Sequence, residues 1–280
     1  MRVVPVRARL LRQLAATSGS FVSALGSGTL GYLGRASYTA GVTLAVLRLA
    51  VKPSTWRRTV RDALARQVLS SAVEASPFTV MVAFLVGISV VVQAQLWLGR
   101  VGQTQLLGPV LVAVVLRELG PLLANIIVIG RSGNAIAAEL GHMRLSGEVR
   151  VLDAQGLDPL LYLVVPRALA TMTAALCLTV LFIFVCLPSG YWFGWLLGAR
   201  TGGILEFLQS VARAIGPWDV VNVIAKSLLP GLLAGVICST EGLGAGDTIT
   251  DVPRAIARAV QWSVVVLFFV SALISLVTYL

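Results

Sequence analysis

The sequence predicts an all-α integral membrane protein, and composition and hydropathy both support this fold class. Hydrophobic residues make up 57% of the 280 positions and charged residues only 12%, whereas soluble domains carry about 25% charged residues. The mean hydropathy is +0.90. Five apolar runs are long enough for a membrane crossing, which takes about 20 residues. We therefore expect five transmembrane helices, an N-terminal interfacial helix and a short cytoplasmic helix between two of the spans.

Residues 1–70 are predicted to form a basic interfacial and cytoplasmic segment. The run YTAGVTLAVLRLAV at 38–51 carries Arg48 and is shorter than a membrane crossing requires. A helix that lies in the membrane interface, with its arginines extended towards lipid headgroups, fits this pattern. The stretch 51–67 then predicts a partly amphipathic cytoplasmic connection to the first span.

Residues 71–280 are predicted to form one membrane domain. Its five spans lie at about 77–98, 107–144, 160–198, 218–239 and 259–280. Ala199–Gly216 is polar and contains glycine, so we expect a loop there. The stretch EGLGAGDTITDVPRAIAR at 241–258 is likewise expected to be a glycine-rich loop that leads into the last span.

The distribution of Lys and Arg predicts the orientation of these spans. With the N-terminus inside, the cytoplasmic segments hold 17 of the basic residues and the outer loops hold 3. Basic residues are retained on the cytoplasmic side of a membrane. We therefore expect a cytoplasmic N-terminus and, after five crossings, a C-terminus on the opposite side.

The same residues argue against several other classes of function. The net charge of +10 is concentrated before the first span and is not interleaved with aromatic residues, so we expect headgroup contact and no nucleic acid. His142 is the only histidine, and the three cysteines lie in apolar runs without a CxxC pair, so neither a metal site nor disulfides are expected. The motifs GxxxxGK[ST], HExxH and GxSxG are absent from the sequence.

Arg117 and Glu118 lie in the middle of the predicted second span. Ten residues, roughly 15 Å of helix, separate Leu107 from Arg117, which is about halfway through a ~30 Å hydrocarbon core. Charges at that depth must face protein, water or one another. Adjacent residues on a helix do not face each other, so each charge is expected to have its own partner. Lys226 lies eight residues below Trp218, at a similar depth, and is the candidate partner for Glu118.

Asn125 and Asp219 are further candidates for the same polar region. Asn125 follows Glu118 by seven residues, two turns along the same face. Asp219 precedes Lys226 by seven residues and shares its face, although a helix N-cap is an equally good interpretation of this residue. These residues predict either a polar patch in a substrate cavity or a structural ion pair that fixes helix register. The candidate cavity residues are Arg117, Glu118, Asn125, Asp219 and Lys226.

The charged segment Ser146–Asp158 separates the second and third spans. Ser146, Val149 and Leu152 follow helical spacing, which predicts a short surface helix offered to a partner. A solvated loop without a partner is the alternative interpretation.

Three motifs resemble the MlaE/YrbE family of ABC-transporter permeases, the membrane subunits of MCE lipid-trafficking systems. They are RELGP at 117–121, GRSGNAIAAELGHMR at 130–144 and GLDPLLYLVVPRALA at 156–170. Weaker similarity covers about residues 50–280 and includes VNVIAKS at 221–227.

The resemblance implies a homodimeric permease in the bacterial inner membrane. This chain would bind no cofactor itself, and a cytoplasmic ABC ATPase dimer would bind ATP and Mg. A periplasmic MCE-domain protein hexamer would lie on the other side of the membrane, the side of the C-terminus. Phospholipid would occupy a cavity at the dimer interface, with Arg117, Glu118 and Lys226 at polar cavity positions. The expectation is that Arg117 and Lys226 lie near the phosphate, while Glu118 holds them in place or gates the cavity.

The resemblance also identifies the short cytoplasmic helix as a coupling helix that contacts the ATPase. The candidate coupling residues are Glu148, Arg150, Asp153, Gly156, Asp158 and Pro159. The family's coupling segment usually reads like Thr-Glu-Gln-Ile-Asp-Ala-Leu-Glu, whereas this chain has SGEVRVLD, with Gly147 and Arg150 where acidic residues are usual.

The function expected from the sequence is therefore lipid transport between the inner membrane and a periplasmic MCE protein, as part of outer-membrane lipid homeostasis. One alternative is a membrane scaffold for an MCE ring without a transport cavity. The other is a membrane-embedded lipid-modifying enzyme, although one histidine and scattered carboxylates offer no concentrated catalytic set.

Overall fold

The fold is described from a computed structural model of the chain. The structure describes residues 34–52, 58–103, 106–197, 203–246 and 248–279, and within these ranges the regular elements are all helices. The chain divides into two compact units, Met1–Leu44 and Ala45–Leu280. All of the candidate membrane spans lie in the second unit. The predicted all-α membrane fold is confirmed.

Five helices are long and apolar enough to cross a membrane, as the sequence predicts. They are span 1 (Val60–Val101), span 2 (Leu107–Leu145), span 3 (Leu160–Leu196), span 4 (Pro217–Leu243) and span 5 (Asp251–Thr278). Span 1, with 42 residues, far exceeds the ~30 Å hydrocarbon core at 1.5 Å per residue. Its first turns therefore extend beyond the membrane core.

The long spans are not uniformly α-helical, because each of the first three contains π-helical turns. The α-helical segments are Arg58–Val68, Ser76–Val101, Leu107–Leu111, Gly120–Val128, Asn134–Leu145, Val165–Leu196, Pro217–Leu243 and Asp251–Tyr279. The π-helical segments are Leu69–Val73, Val112–Leu119, Ile129–Gly133 and Leu160–Val164. A π turn inserts an extra residue into the helical repeat and alters which residues share a face beyond it.

The N-terminal part of the chain fits the predicted arrangement where it is described. Residues 34–51 are helical, and this helix is not among the candidate spans. The residues before it lie outside the described ranges, and the placement of the helix in the membrane interface stays a prediction. The connection predicted at 51–67 is helical from Arg58 onwards and continues into span 1.

The segment Ala199–Gly216, predicted to be a loop, contains a helix, so that prediction was wrong. This loop helix (Ile204–Ala214) buries Phe207 and Val211, which join the core cluster that includes Leu107. Burial of two apolar side chains one turn apart stabilises a helix that is otherwise short.

The predicted loop at 241–258 is also shorter than expected. Span 4 remains helical to Leu243, and span 5 begins at Asp251, eight residues before the predicted Ala259. The Thr248 hydroxyl donates to Asp251 Oδ2 at 2.5 Å, and Pro253 is tolerated in the first turn because its missing N–H would have no helical acceptor there.

Glycines bring neighbouring spans into close contact. A Cβ at Gly87 of span 1 would overlap the backbone of Cys186 in span 3, and one at Gly231 of span 4 would lie 2.8 Å from the Ala175 Cβ. Small residues at such contacts let membrane helices approach closely. In lipid, the resulting close packing takes the place of the hydrophobic effect as the source of helix association. Of the cysteines, Cys186 and Cys238 are buried as expected, whereas Cys177 is exposed.

The two ends of the helix bundle differ in side-chain chemistry. At one end, the exposed tryptophans of spans 1, 3 and 4 cluster in the way that marks a membrane–water interface. These are Trp97, Trp192, Trp195 and Trp218. At the other end, arginines join neighbouring spans. The pairs are Arg167–Glu139 (2.7 Å), Arg258–Glu241 (3.2 Å) and Arg131–Glu74 (3.5 Å), and Arg144 donates to the Leu243 carbonyl.

Substituting Gly87 tests the close contact between spans 1 and 3. Gly87→Ala is expected to lower stability by about 1–3 kcal/mol, because the added methyl group meets backbone that must move. Gly99→Ala in the same span is the matched control, since nothing lies within 4 Å of its Cβ position. Thermal unfolding in detergent measures the stability of both variants. Equal melting temperatures of Gly87→Ala and Gly99→Ala would contradict the close contact at Gly87.

Candidate functional site: a charged cluster within the membrane spans

The site is built around a proline that interrupts the hydrogen bonding of span 2. Arg117 and Glu118 lie in the π-helical segment Val112–Leu119, and Pro121 follows at the start of the next α-helical segment. Proline has no N–H, so it cannot donate to the carbonyl of Arg117 four residues earlier. That carbonyl loses its usual α-helical donor, and within a membrane a donor from another helix stabilises it.

Lys226 of span 4 supplies that partner and also pairs with Glu118. Its Nζ lies 2.6 Å from Glu118 Oε1 and donates to the Arg117 carbonyl at 3.0 Å. The Lys226 side chain is 0% exposed. The predicted Glu118–Lys226 pair is confirmed, and the lysine also satisfies the carbonyl that Pro121 leaves open.

Span 4 has the same defect, and span 2 corrects it. Pro230 lies within the helix, four residues after Lys226, so it cannot donate to the Lys226 carbonyl. Asn125 Nδ2 donates to that carbonyl at 3.1 Å, and also to the Pro121 carbonyl at 2.9 Å. Asn125 is fully buried and lies between the helices. In contrast to the prediction, it does not line an open cavity.

Arg117 has its own partner, as the geometry of adjacent helical residues requires. Its Nε lies 2.7 Å from Asp219 Oδ1, and its Nη2 donates to Asp219 Oδ2 at 3.2 Å. Asp219 Oδ2 also accepts from the backbone N–H of Gly216 at 2.8 Å. Asp219 is therefore the third residue of span 4, where its side chain binds the backbone of the N-cap residue Gly216, and it also pairs with span 2. The N-cap is Gly216 and not Asp219, and a role of Asp219 in a substrate cavity stays a prediction.

Span 5 contributes a residue that the sequence reasoning missed. The Ser275 hydroxyl donates to Glu118 Oε1 at 2.9 Å, so three spans meet at this carboxylate. The available signal was depth, since Ser275 lies near the end of the last apolar run, on the same side of the membrane as Trp218. Serines are common in membrane helices, and depth alone did not distinguish this one.

The charged cluster, defined as Arg117, Glu118, Asp219 and Lys226, contains two cations and two anions. Lys226 and Asp219 are buried, whereas the Glu118 side chain is 42% exposed and the Arg117 side chain 30% exposed. Charges at this depth do not face hydrocarbon. The open side of the cluster is therefore a place for water, a polar ligand or another protein surface.

An apolar groove of about 520 Å³ lies between spans 4 and 5. The lining residues are Trp218, Val221, Ala225, Leu273, Ile274, Val277 and Thr278. The groove is lined by the same two spans that supply Lys226 and Ser275, but the residues of the charged cluster are not part of its lining.

The segment between spans 2 and 3 forms a short helix, as predicted. This connector helix (Glu148–Ala154) lies between Gly147 and Gly156, both with positive φ. Val149 and Leu152 pack against the core, so the apolar side of the connector helix faces the bundle, and contact of this helix with a partner stays a prediction. Val151 is a large apolar residue that is exposed on this helix.

The other candidate coupling residues divide into exposed and structural positions. Glu148, Arg150 and Asp153 are exposed on the connector helix. Asp158 accepts from the backbone N–H of Leu160 at 2.9 Å, and so caps the start of span 3 next to Pro159. In the part of the chain that the structure describes, no group of three His, Cys, Asp or Glu side chains could hold a metal ion.

Five spans with a charged cluster within them define a multi-pass membrane protein. A family model described as Permease MlaE matches residues 64–277. The chain belongs to this family.

Three relatives illustrate the similarity. The chain is 30% identical to the protein TRIGALACTOSYLDIACYLGLYCEROL 1, chloroplastic, of Arabidopsis thaliana, over 82% of this chain and 64% of that protein. It is 30% identical to a probable ABC transporter permease protein of Rickettsia prowazekii, over 75% of this chain and 80% of the relative. It is 29% identical to the intermembrane phospholipid transport system permease protein MlaE of Haemophilus influenzae, over 55% of this chain and 59% of the relative. The chain thus spans less than two thirds of the Arabidopsis protein.

Removing the amide of Asn125 tests the cross-helix correction of the proline defects. Asn125→Leu is expected to cost about 1–3 kcal/mol, because the buried Lys226 carbonyl loses its donor. Adding Pro230→Ala returns an N–H four residues after Lys226, so the double variant is expected to recover part of this loss. Thermal unfolding of both single variants and the double variant gives the coupling energy.

The control for this cycle is Asn134→Leu, since the Asn134 amide donates to the Gly130 carbonyl of its own span. Its effect is expected to be independent of Pro230→Ala. Losses at Asn125 and Pro230 that simply add would show that the two positions are not linked as described.

Proposed function

We propose that this chain is the permease subunit of an ABC transporter that moves phospholipid between the bacterial inner membrane and a periplasmic MCE-domain protein. The observation that carries this proposal is the charged cluster, which is partly exposed within spans that are otherwise apolar. A phospholipid has the same two parts, since a charged headgroup is attached to hydrocarbon chains. The name of the Haemophilus relative, which specifies phospholipid transport, supports the same substrate class.

A second copy of the chain is proposed to close the open side of the cluster. Span 5 is the least covered of the spans, with 17% of its most apolar window buried. Glu118 and Arg117 are partly exposed beside it at a depth where lipid cannot solvate them. A homodimer would cover these faces and enclose the cluster and groove in one central cavity.

The connector helix is proposed to receive the motion of a cytoplasmic ABC ATPase dimer, which binds ATP and Mg. Its exposed residues Glu148, Arg150, Val151 and Asp153 offer charges and one apolar side chain to such a partner. Its other side is fixed, since Val149 and Leu152 pack against the core. The nearby Arg167–Glu139 pair joins span 3 to span 2, so displacement of the connector would move both spans.

Transport is expected to depend on the Glu118–Lys226 pair. Glu118→Ala and Lys226→Ala should each lower lipid transfer by about tenfold or more, because each leaves an unpaired charge within the membrane. Transfer between proteoliposomes and the periplasmic partner measures this, with assembly checked by size-exclusion chromatography. Glu206→Ala on the loop helix is the control. Normal transfer by both cluster variants would contradict the proposal, and losses that merely follow melting temperature would favour the scaffold alternative.

Charge reversal on the connector helix tests its proposed contact with the ATPase. Glu148→Lys combined with Asp153→Lys is expected to weaken ATPase association by about tenfold, because charges that complement a partner become repulsive. Glu206→Lys makes the same type of change at the opposite end of the bundle and should have no effect. Pull-down of the ATPase with the purified permease measures the difference. Equal recovery with all variants would place the ATPase contact elsewhere.

A further inference from the structure

The charged cluster presents both signs of charge to a ligand. Lys226 is completely buried behind Glu118, whereas Glu118 is 42% exposed and Arg117 is 30% exposed. The expectation that Lys226 and Arg117 together meet a phosphate therefore does not fit this geometry. A ligand on the open side meets one cation, from Arg117, and one anion, from Glu118.

Lys226 is held in place by two bonds, which makes its release costly. Its Nζ bonds to the Glu118 carboxylate and to the Arg117 carbonyl that Pro121 leaves without a donor. Moving the ammonium towards a ligand would leave both acceptors unsatisfied in a region from which water is largely excluded. Glu118 therefore keeps its counter-charge, and the four charges of the cluster sum to zero.

A site with zero net charge in a low-dielectric region selects against a ligand with net charge. An anionic headgroup would add one uncompensated charge, whereas a zwitterionic headgroup would add none. Arg117 and Glu118 are adjacent on the helix, and their side chains point in different directions. The cation and the anion thus offer two distinct contacts, one for the phosphate and one for the ammonium of an ethanolamine headgroup.

We propose that the cluster selects zwitterionic phospholipids over anionic ones, with the phosphate on Arg117 and the ammonium on Glu118. This inference rests on the proposed phospholipid substrate and specifies its headgroup. Ser275 holds Glu118 from span 5 and so fixes the orientation of the anionic half of the site.

The test is a lipid-retention experiment on the purified full-length chain. The protein is equilibrated with micelles that contain equal amounts of phosphatidylethanolamine and phosphatidylglycerol, re-purified, and its bound lipid is measured by mass spectrometry. Phosphatidylethanolamine is expected to be enriched by about tenfold or more, because an uncompensated charge in the membrane costs more than a factor of ten in binding.

Two variants separate the effect of the net charge of the cluster from the effect of its exposed anion. Glu118→Gln leaves the cluster with a net positive charge and is expected to shift the retained lipid towards phosphatidylglycerol. Glu118→Gln combined with Lys226→Met restores zero net charge without an exposed anion, and is expected to abolish the ethanolamine preference without creating a preference for phosphatidylglycerol. The double variant also serves if the single variant does not fold.

The outcomes distinguish this inference from the function on which it rests. Equal retention of both phospholipids by the unmodified chain, or an unchanged preference in the double variant, would overturn the headgroup assignment and leave phospholipid transport standing. Retention of neither phospholipid would overturn both.

Discussion

Two missing backbone donors, one at Pro121 and one at Pro230, constrain the centre of this protein. Each proline leaves the carbonyl four residues earlier without its helical partner, and each carbonyl is satisfied by a side chain of the opposite span. Within a bilayer no water is available to do this, so the two helices can be broken only where they lie together. The position of Lys226, and with it the exposure of Glu118, follows from this requirement.

The rest of the bundle holds these two spans in register. Glycines at the contacts of span 3 with spans 1 and 4 fix the distances between helix axes. At the end of the bundle that carries the connector helix, arginine pairs and the bond from Arg144 to the Leu243 carbonyl join span 2 to spans 1, 3 and 4. The cluster is thus carried by a framework in which movement of one span end is passed to its neighbours.

The sequence predicted the spans and the depth of their charges, but not how each helix is rotated about its own axis. Depth follows from counting residues from a shared membrane surface, and this was sufficient to pair Glu118 with Lys226. Rotation depends on local hydrogen bonding, and the π-helical turns of span 2 alter the face on which later residues such as Asn125 lie. The loop helix was missed because its eleven residues are too short a run to cross a membrane, although its apolar residues recur at helical spacing. Two of them, Phe207 and Val211, pack against the core.

The distribution of charges along the chain also bears on how the protein enters the membrane. Arg117 and Glu118 are neighbours on span 2, and Asp219 and Lys226 lie two turns apart on one face of span 4. Each of these two pairs therefore adds no net charge to the middle of its own span before any helices have met. When the helices pack, each cation of the cluster takes its counter-ion from the other span. The same four residues that form the charged cluster in the folded protein thus let each span enter the bilayer core without a net charge from this region.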